Sequence, residues 1–171
     1  MKKLLSLLMV LPLLLMSISC SRKEVTPTEL VLALSGIELP LPDGQVYRTD
    51  AAEGDQAYLP WEMLTAAYGF PSEYDGIISA AIWLSTFCHP CEFAVFHCKT
   101  DKSAEDVALF CRVRTDILKS SAAEAASFCG LSADEYLGYV NNAAVIISGR
   151  YVALIISSDI QAAKKLLFSS L

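Results

Sequence analysis

Two cysteines separated by two residues, Cys88 and Cys91, are the side chains of this sequence best suited to covalent chemistry. Thiols at this spacing can form a reversible disulfide, and His89 between them can favour the attacking thiolate. In thiol-disulfide oxidoreductases, however, the reactive cysteine stands at the start of a helix whose positive end stabilises the thiolate, whereas residues 92–98 alternate like a strand. Redox catalysis is therefore an alternative function. A hairpin turn carrying a disulfide or two thiols is the simpler interpretation.

The same two cysteines are also candidate metal ligands, with His97 or Cys98 as a further ligand. Adjacent residues of a strand point to opposite faces, so His97 and Cys98 cannot both reach one ion without a bulge. A closed tetrahedral site would then need Cys111 or Cys129. These two lie on the apolar stripe of a helix, where a buried cysteine commonly acts as a small apolar residue. We therefore assign no metal site and no cofactor.

The first twenty residues carry a separate signal. Two lysines precede an apolar run over residues 4–18, and small residues lead into Cys20. This is the layout of a secretory signal peptide, and the run is several residues shorter than the roughly 20 needed to span a bilayer. The segment is similar to a lipoprotein signal, in which cleavage exposes a lipidated Cys20. Ser17 departs from that motif, which usually has leucine at this position.

These features divide the chain into a signal peptide at 1–19, a lipidated cysteine with a short tether at 20–26, and one folded domain at 27–171. Two acyl chains hold a protein stably on a bilayer, so we expect the domain to be anchored to the outer side of the cell membrane. Loss of two lysines with the leader leaves eleven basic against nineteen acidic residues, which lowers the formal charge from −6 to −8. An acidic surface argues against nucleic acid as a partner.

Export permits disulfides, but lipidation of Cys20 leaves five thiols, which is an odd number. At least one thiol therefore stays free or pairs with another molecule. Cys111 and Cys129 would be about 27 Å apart on a continuous helix, too far for a disulfide. Cys98 with either of them remains feasible.

Capping signals and hydrophobic periodicity predict the elements that must position these residues. Strands are predicted at 77–86, 92–98, 143–147 and 151–156. Helices are predicted at 27–35, 60–68, 103–129, 132–139 and 159–168. The proline-rich segment 39–44 and the polar segment 48–56 break any regular pattern and are interpreted as an exposed connection.

The order of these elements favours an α+β fold. Two hairpins are not stable singly, so we expect their four strands to form one antiparallel sheet. The long helix lies between the hairpins in sequence, and the C-terminal helix follows the second one. With both helices packed across one face, the predicted domain is a two-layer sandwich.

Several short segments resemble a family of small lipoproteins of Gram-positive bacteria that is classed as a domain of unknown function. They are Tyr68-Gly69-Phe70, Glu73-Tyr74, the run 92–96, Val145-Ile146-Ile147 and the run 149–152. The resemblance implies a lipid-anchored extracytoplasmic domain with no assigned activity and no known catalytic residues. The segment 88–91 departs from that pattern, in which a polar or glycine-containing turn is expected.

We therefore predict a binding or accessory role at the cell envelope. Its expected partners are the membrane, through the anchor at Cys20, and an envelope protein or small ligand that the sequence does not identify. A membrane-tethered thiol-disulfide oxidoreductase using Cys88 and Cys91 is the alternative function.

Overall fold

A computed structural model describes residues 24–38 and 40–171 of the chain; the predicted signal peptide and Cys20 lie outside these residues. The strands are β1 Gly44–Arg48, β2 Ile77–Ser85, β3 Glu92–Cys98, β4 Ala144–Ser148 and β5 Tyr151–Ile156. The helices are α1 Pro27–Ser35, α2 Trp61–Tyr68, α3 Asp101–Ser120, α4 Ala122–Cys129, α5 Ala133–Asn141 and α6 Ile160–Ser170. No helix in this part of the chain is both long and apolar enough to span a bilayer.

Local capping chemistry starts two of the helices where the sequence predicted. The Thr26 hydroxyl accepts the backbone N–H of Glu29 at 3.2 Å, and the Glu29 carboxylate accepts the backbone N–H of Thr26 at 2.9 Å. Ser132 and Glu135 make the same reciprocal pair at the start of α5. Each pair satisfies donors that the first turn of a helix leaves without a partner.

The strands form one open antiparallel sheet in the order β1-β2-β3-β5-β4. The α+β class is confirmed, but the prediction of four strands is wrong because β1 lies within the stretch interpreted as a connection. This strand pairs with β2 from Gly44 opposite Ser85 to Arg48 opposite Ala81. It has only two apolar residues between turn-forming neighbours, so its pattern is weak.

The prediction of helices on one face of the sheet is also wrong. One face carries a core built with α2, α3, α4 and α5, in which Ala94 and Phe96 of β3 are buried. The other face carries a second core with α1 and α6, in which Phe93 and Val95 of β3 are buried. Every residue of β3 is buried. A strand without exposed positions needs cover on both faces, so the domain has three layers.

The predicted helix 103–129 is divided at Ser121. The backbone leaves the α-helical region there, with φ −98° and ψ 5°, and the Ser121 hydroxyl donates to the carbonyl of Ile117 at 3.0 Å. No glycine or proline marks this break, and the helical spacing of apolar residues continues across it. The sequence therefore predicted one helix. The division allows α4 to turn away from α3 at the edge of the candidate site.

A substitution of Gly44 tests how closely β1 packs against β2. A Cβ at this position would lie 2.6 Å from the backbone oxygen of Leu84 and 2.3 Å from the Trp83 ring. We expect Gly44→Ala to lower the free energy of unfolding by about 1–3 kcal/mol. The control is Gly138→Ala in α5, where a Cβ meets no atom within 4 Å and helix propensity should add about 0.5–1 kcal/mol. Urea titrations measure both, and equal stabilities of the two variants would contradict this packing.

Candidate functional site

The Cys88 to Cys91 segment lies in the connection between β2 and β3. Cys88 is exposed with φ +58°, a left-handed conformation that is uncommon for residues other than glycine. Cys91 is only 1% exposed and packs in the core under α1. The backbone N–H of Cys91 donates to Nδ1 of His89 at 3.1 Å. The two thiols therefore occupy different environments, one at the surface and one in a core.

The surroundings of Cys91 do not activate a thiol. Burial raises the pKa of Cys91 well above its usual range, and the carboxylates of Glu38 and Glu92 raise it further. The residue precedes a strand and not a helix, so no helix dipole stabilises the thiolate. The oxidoreductase alternative stays a prediction, with Cys88 as its accessible thiol.

The three candidate metal ligands are not brought together. His97 is near the far end of β3, about 20 Å from Cys91 at the rise of a strand. Within residues 24–38 and 40–171 no group of three histidine, cysteine or acidic side chains is placed to hold a metal ion. Cys98 and Cys111 are free thiols in the core beneath α3, where burial raises both pKa values.

A buried ion pair occupies the other side of the β2–β3 connection. Glu92 begins β3, is 2% exposed, and points away from the face on which Cys91 packs. Arg114 of α3 donates from Nη2 and Nε to Oε2 of Glu92 at 2.7 and 3.0 Å. The Tyr68 hydroxyl donates to Oε1 at 2.5 Å, and the Arg114 guanidinium lies 5.8 Å from the centre of the Tyr68 ring. Both carboxylate oxygens are thus engaged.

Electrostatics support this arrangement of donors around one acceptor. Burial alone would lower the pKa of Arg114, but the Glu92 carboxylate and its hydrogen bonds raise it above the usual arginine range. Burial raises the pKa of Tyr68, and the charge of Glu92 raises it further. The guanidinium stays charged and the phenol stays protonated, so both remain donors to Glu92.

A cleft of about 270 Å³ opens beside this ion pair, between the end of β2, the β2–β3 connection and helices α3 to α5. We call it the Arg114 cleft. It brings polar side chains from distant parts of the chain next to small and branched apolar ones: His89, Arg114, Tyr136, Leu84, Leu118 and Ala125. Cys88 lies at its edge. The cleft therefore combines two predicted site residues, Cys88 and His89, with Arg114 and Tyr136, which were not predicted as site residues.

The remaining predicted residue, His97, lines a cavity of about 440 Å³ at the opposite end of β3. Oε1 of Glu24 lies 3.2 Å from Nε2 of His97 and 3.6 Å from Nη2 of Arg150. The atoms of Glu24 and His97 are close enough for an ion pair, but they are not aligned for a hydrogen bond. The Tyr151 hydroxyl donates to the carbonyl of Val25 at 2.9 Å and its ring stacks on His97. Residues 24–27, which lead into α1, thus form part of the wall of this cavity.

A signal for the buried ion pair was present in the sequence. Glu92 immediately precedes the apolar run Phe93-Ala94-Val95-Phe96. An acid at the start of a buried strand requires a cation or several donors. Which cation supplies them depends on the packing of α3.

No family model, no curated protein and no solved structure matches this chain. The resemblance to small Gram-positive lipoproteins stays a prediction.

Removal of one partner should show the cost of the buried ion pair. Glu92→Gln leaves Arg114 charged and partly buried, so we expect a loss of about 3–5 kcal/mol in the free energy of unfolding. The double variant Glu92→Leu with Arg114→Leu should recover much of that loss because no charge is left unpaired. The exposed pair of Lys99 and Asp75 is the control, where Asp75→Asn should cost less than about 1 kcal/mol. A double variant that is less stable than Glu92→Gln would contradict the pairing.

Thiol labelling tests the two environments of the cysteines. In the folded protein, iodoacetamide should modify Cys88 while Cys91 stays unmodified until denaturant is added, because Cys91 is buried and protonated. Peptide mass spectrometry measures both sites in one sample. Equal labelling rates, or a mixed disulfide trapped by Cys91→Ser, would favour the oxidoreductase instead.

Proposed function

We propose that this chain is a lipid-anchored extracytoplasmic domain that binds a small ligand in the Arg114 cleft. One observation favours binding over catalysis. The cleft is lined by hydrogen-bond donors that have no partner among the described residues, whereas the Glu92 carboxylate beside it is engaged by Arg114 and Tyr68, and the nearby Cys91 thiol is buried.

Three groups that a catalyst could use, on Glu92, His89 and Cys91, are engaged or buried, which leaves the exposed thiol of Cys88. Glu92 accepts from Arg114 and Tyr68 through both oxygens, so it is not free to act as a base. Nδ1 of His89 accepts the backbone N–H of Cys91, and burial lowers the pKa of His89. Burial also raises the pKa of Cys91. General base and nucleophilic roles both need a free lone pair near the reacting atom, so this arrangement favours binding.

The position of the anchor supports a cleft that is open to the cell envelope. Three residues lie between Cys20 and Glu24, so four residue steps join them, a span of at most about 14 Å at full extension. Glu24 contacts His97 and Arg150 at one end of β3. The Arg114 cleft lies at the other end, beside Glu92. The domain would therefore turn its cleft away from the bilayer, toward an envelope protein or small molecule.

Substitution of Cys20 tests the proposed location. In a Gram-positive host grown with radiolabelled palmitate, the full-length protein should carry the label and sediment with membranes. Cys20→Ala should lose the label and leave the membrane fraction, because no acyl chain can be attached.

Cys88→Ala is the matched control, and it should keep both the label and the membrane location. Recovery of unlabelled, uncleaved wild-type protein from the cytosol would exclude the proposed location.

A further inference from the structure

We infer that the Arg114 cleft recognises an uncharged carbonyl group, such as an amide, attached to a small aliphatic side chain. This inference rests on the proposed binding role and specifies its ligand class. It depends on three residues lining the cleft that each carry a donor without a partner among the described residues, on the net charge around them, and on the size and lining of the space.

Tyr136 is the first of these donors. The residue is 1% exposed, yet its hydroxyl has no hydrogen-bond partner among the described residues and is not sealed from solvent. The surface that remains open lines the cleft. Burial raises the pKa of Tyr136 to about 12, so the hydroxyl is a donor at neutral pH. A buried hydroxyl without a partner costs free energy, which an acceptor on a ligand would recover.

Arg114 and His89 supply the other donors. Glu92 engages Nε and Nη2 of Arg114, and Nη1 has no acceptor among the described residues. In His89, Nδ1 accepts a backbone N–H, so the neutral ring carries its hydrogen on Nε2. That N–H also lacks an acceptor in the part of the chain that the structure describes. The cleft thus presents donors from three separate segments.

The charge around these donors favours an uncharged acceptor. The Glu92 carboxylate neutralises Arg114 within the pair, and Tyr136 and His89 are neutral. A carboxylate ligand would place a second anion on the same guanidinium, beside buried Glu92, and would lose its hydration. An amide carbonyl accepts the same hydrogen bonds with a much smaller desolvation cost.

The space limits the ligand to a small group. A volume of about 270 Å³ is at the lower end of the range for ligand pockets. Leu84, Leu118 and Ala125 provide an apolar wall for an aliphatic side chain. One N-acylated amino acid amide, or the equivalent part of a longer peptide, matches both features.

Three related probes distinguish the ligand class by charge. They are N-acetyl-leucinamide, which is neutral, N-acetyl-leucine, which is anionic, and leucinamide, which is cationic. Calorimetric or ligand-observed NMR titration of the protein, purified as the cell makes it, should give at least tenfold tighter binding of the neutral probe than of either charged one.

Tyr136→Phe tests the donor directly. It should weaken binding of the neutral probe about five- to tenfold, the effect of one lost hydrogen bond. Because the hydroxyl has no partner among the described residues, its removal should leave the thermal midpoint unchanged or raise it slightly. Tyr139→Phe is the control on the same helix: it removes a hydroxyl that donates to Glu38 outside the cleft and keeps the ring that contacts His89, so binding should not change.

Tighter binding of N-acetyl-leucine, no binding of the neutral probe, or wild-type affinity of Tyr136→Phe would overturn the inference. If the anionic probe binds and depends on Tyr136, the cleft stands as the binding site and only the ligand class fails. The palmitate experiment reports on location independently of all three probes.

Discussion

Burial of the Glu92 carboxylate at the start of the central strand imposes a requirement that shapes much of the domain. An ionised group in a core needs charge compensation and hydrogen bonds to both oxygens. Arg114 supplies the charge from α3, and Tyr68 supplies a further donor from the end of α2. Three elements are thereby fixed relative to one another. Arg114 also lines the cleft, so the structural role and the proposed binding role share one side chain.

Local signals in the sequence were sufficient to predict most helices and strands, but not to predict how these elements are arranged in layers. The capping boxes at Thr26 and Ser132 and the tight turn at Gly149 are read from a few neighbouring residues, and the structure places helices and a hairpin there. Burial on both faces of β3 is a tertiary property. The apolar run 93–96 indicated it in principle, whereas the alternation assumed for this hairpin suggested only one covered face. The short strand β1 is stabilised by pairing with β2. Its own residues do not form a pattern that predicts a strand.

The candidate site could be predicted only in part, for a related reason. Spacing along the chain drew attention to Cys88 and Cys91, but their separation into an exposed and a buried thiol depends on the direction of the connection after β2. The Arg114 cleft joins α3, α5 and the β2–β3 connection, whose residues are far apart in sequence. The isolated acid Glu92 before an apolar run was the one usable sign. An arginine on a mostly polar helix, such as Arg114, gives no comparable sign.

The way in which the chain joins the fold also has a mechanical consequence. Residues 24–26 lead directly into α1, which packs on β2, β3 and α6. A pull on the N-terminal end of this segment would therefore first load the contacts of Glu24 with His97 and Arg150, then the hydrogen bond between Tyr151 and Val25, and then α1. The Arg114 cleft is built on the opposite face, so such a load would reach it last. With the proposed anchor at Cys20, the cleft would keep its shape under such a load.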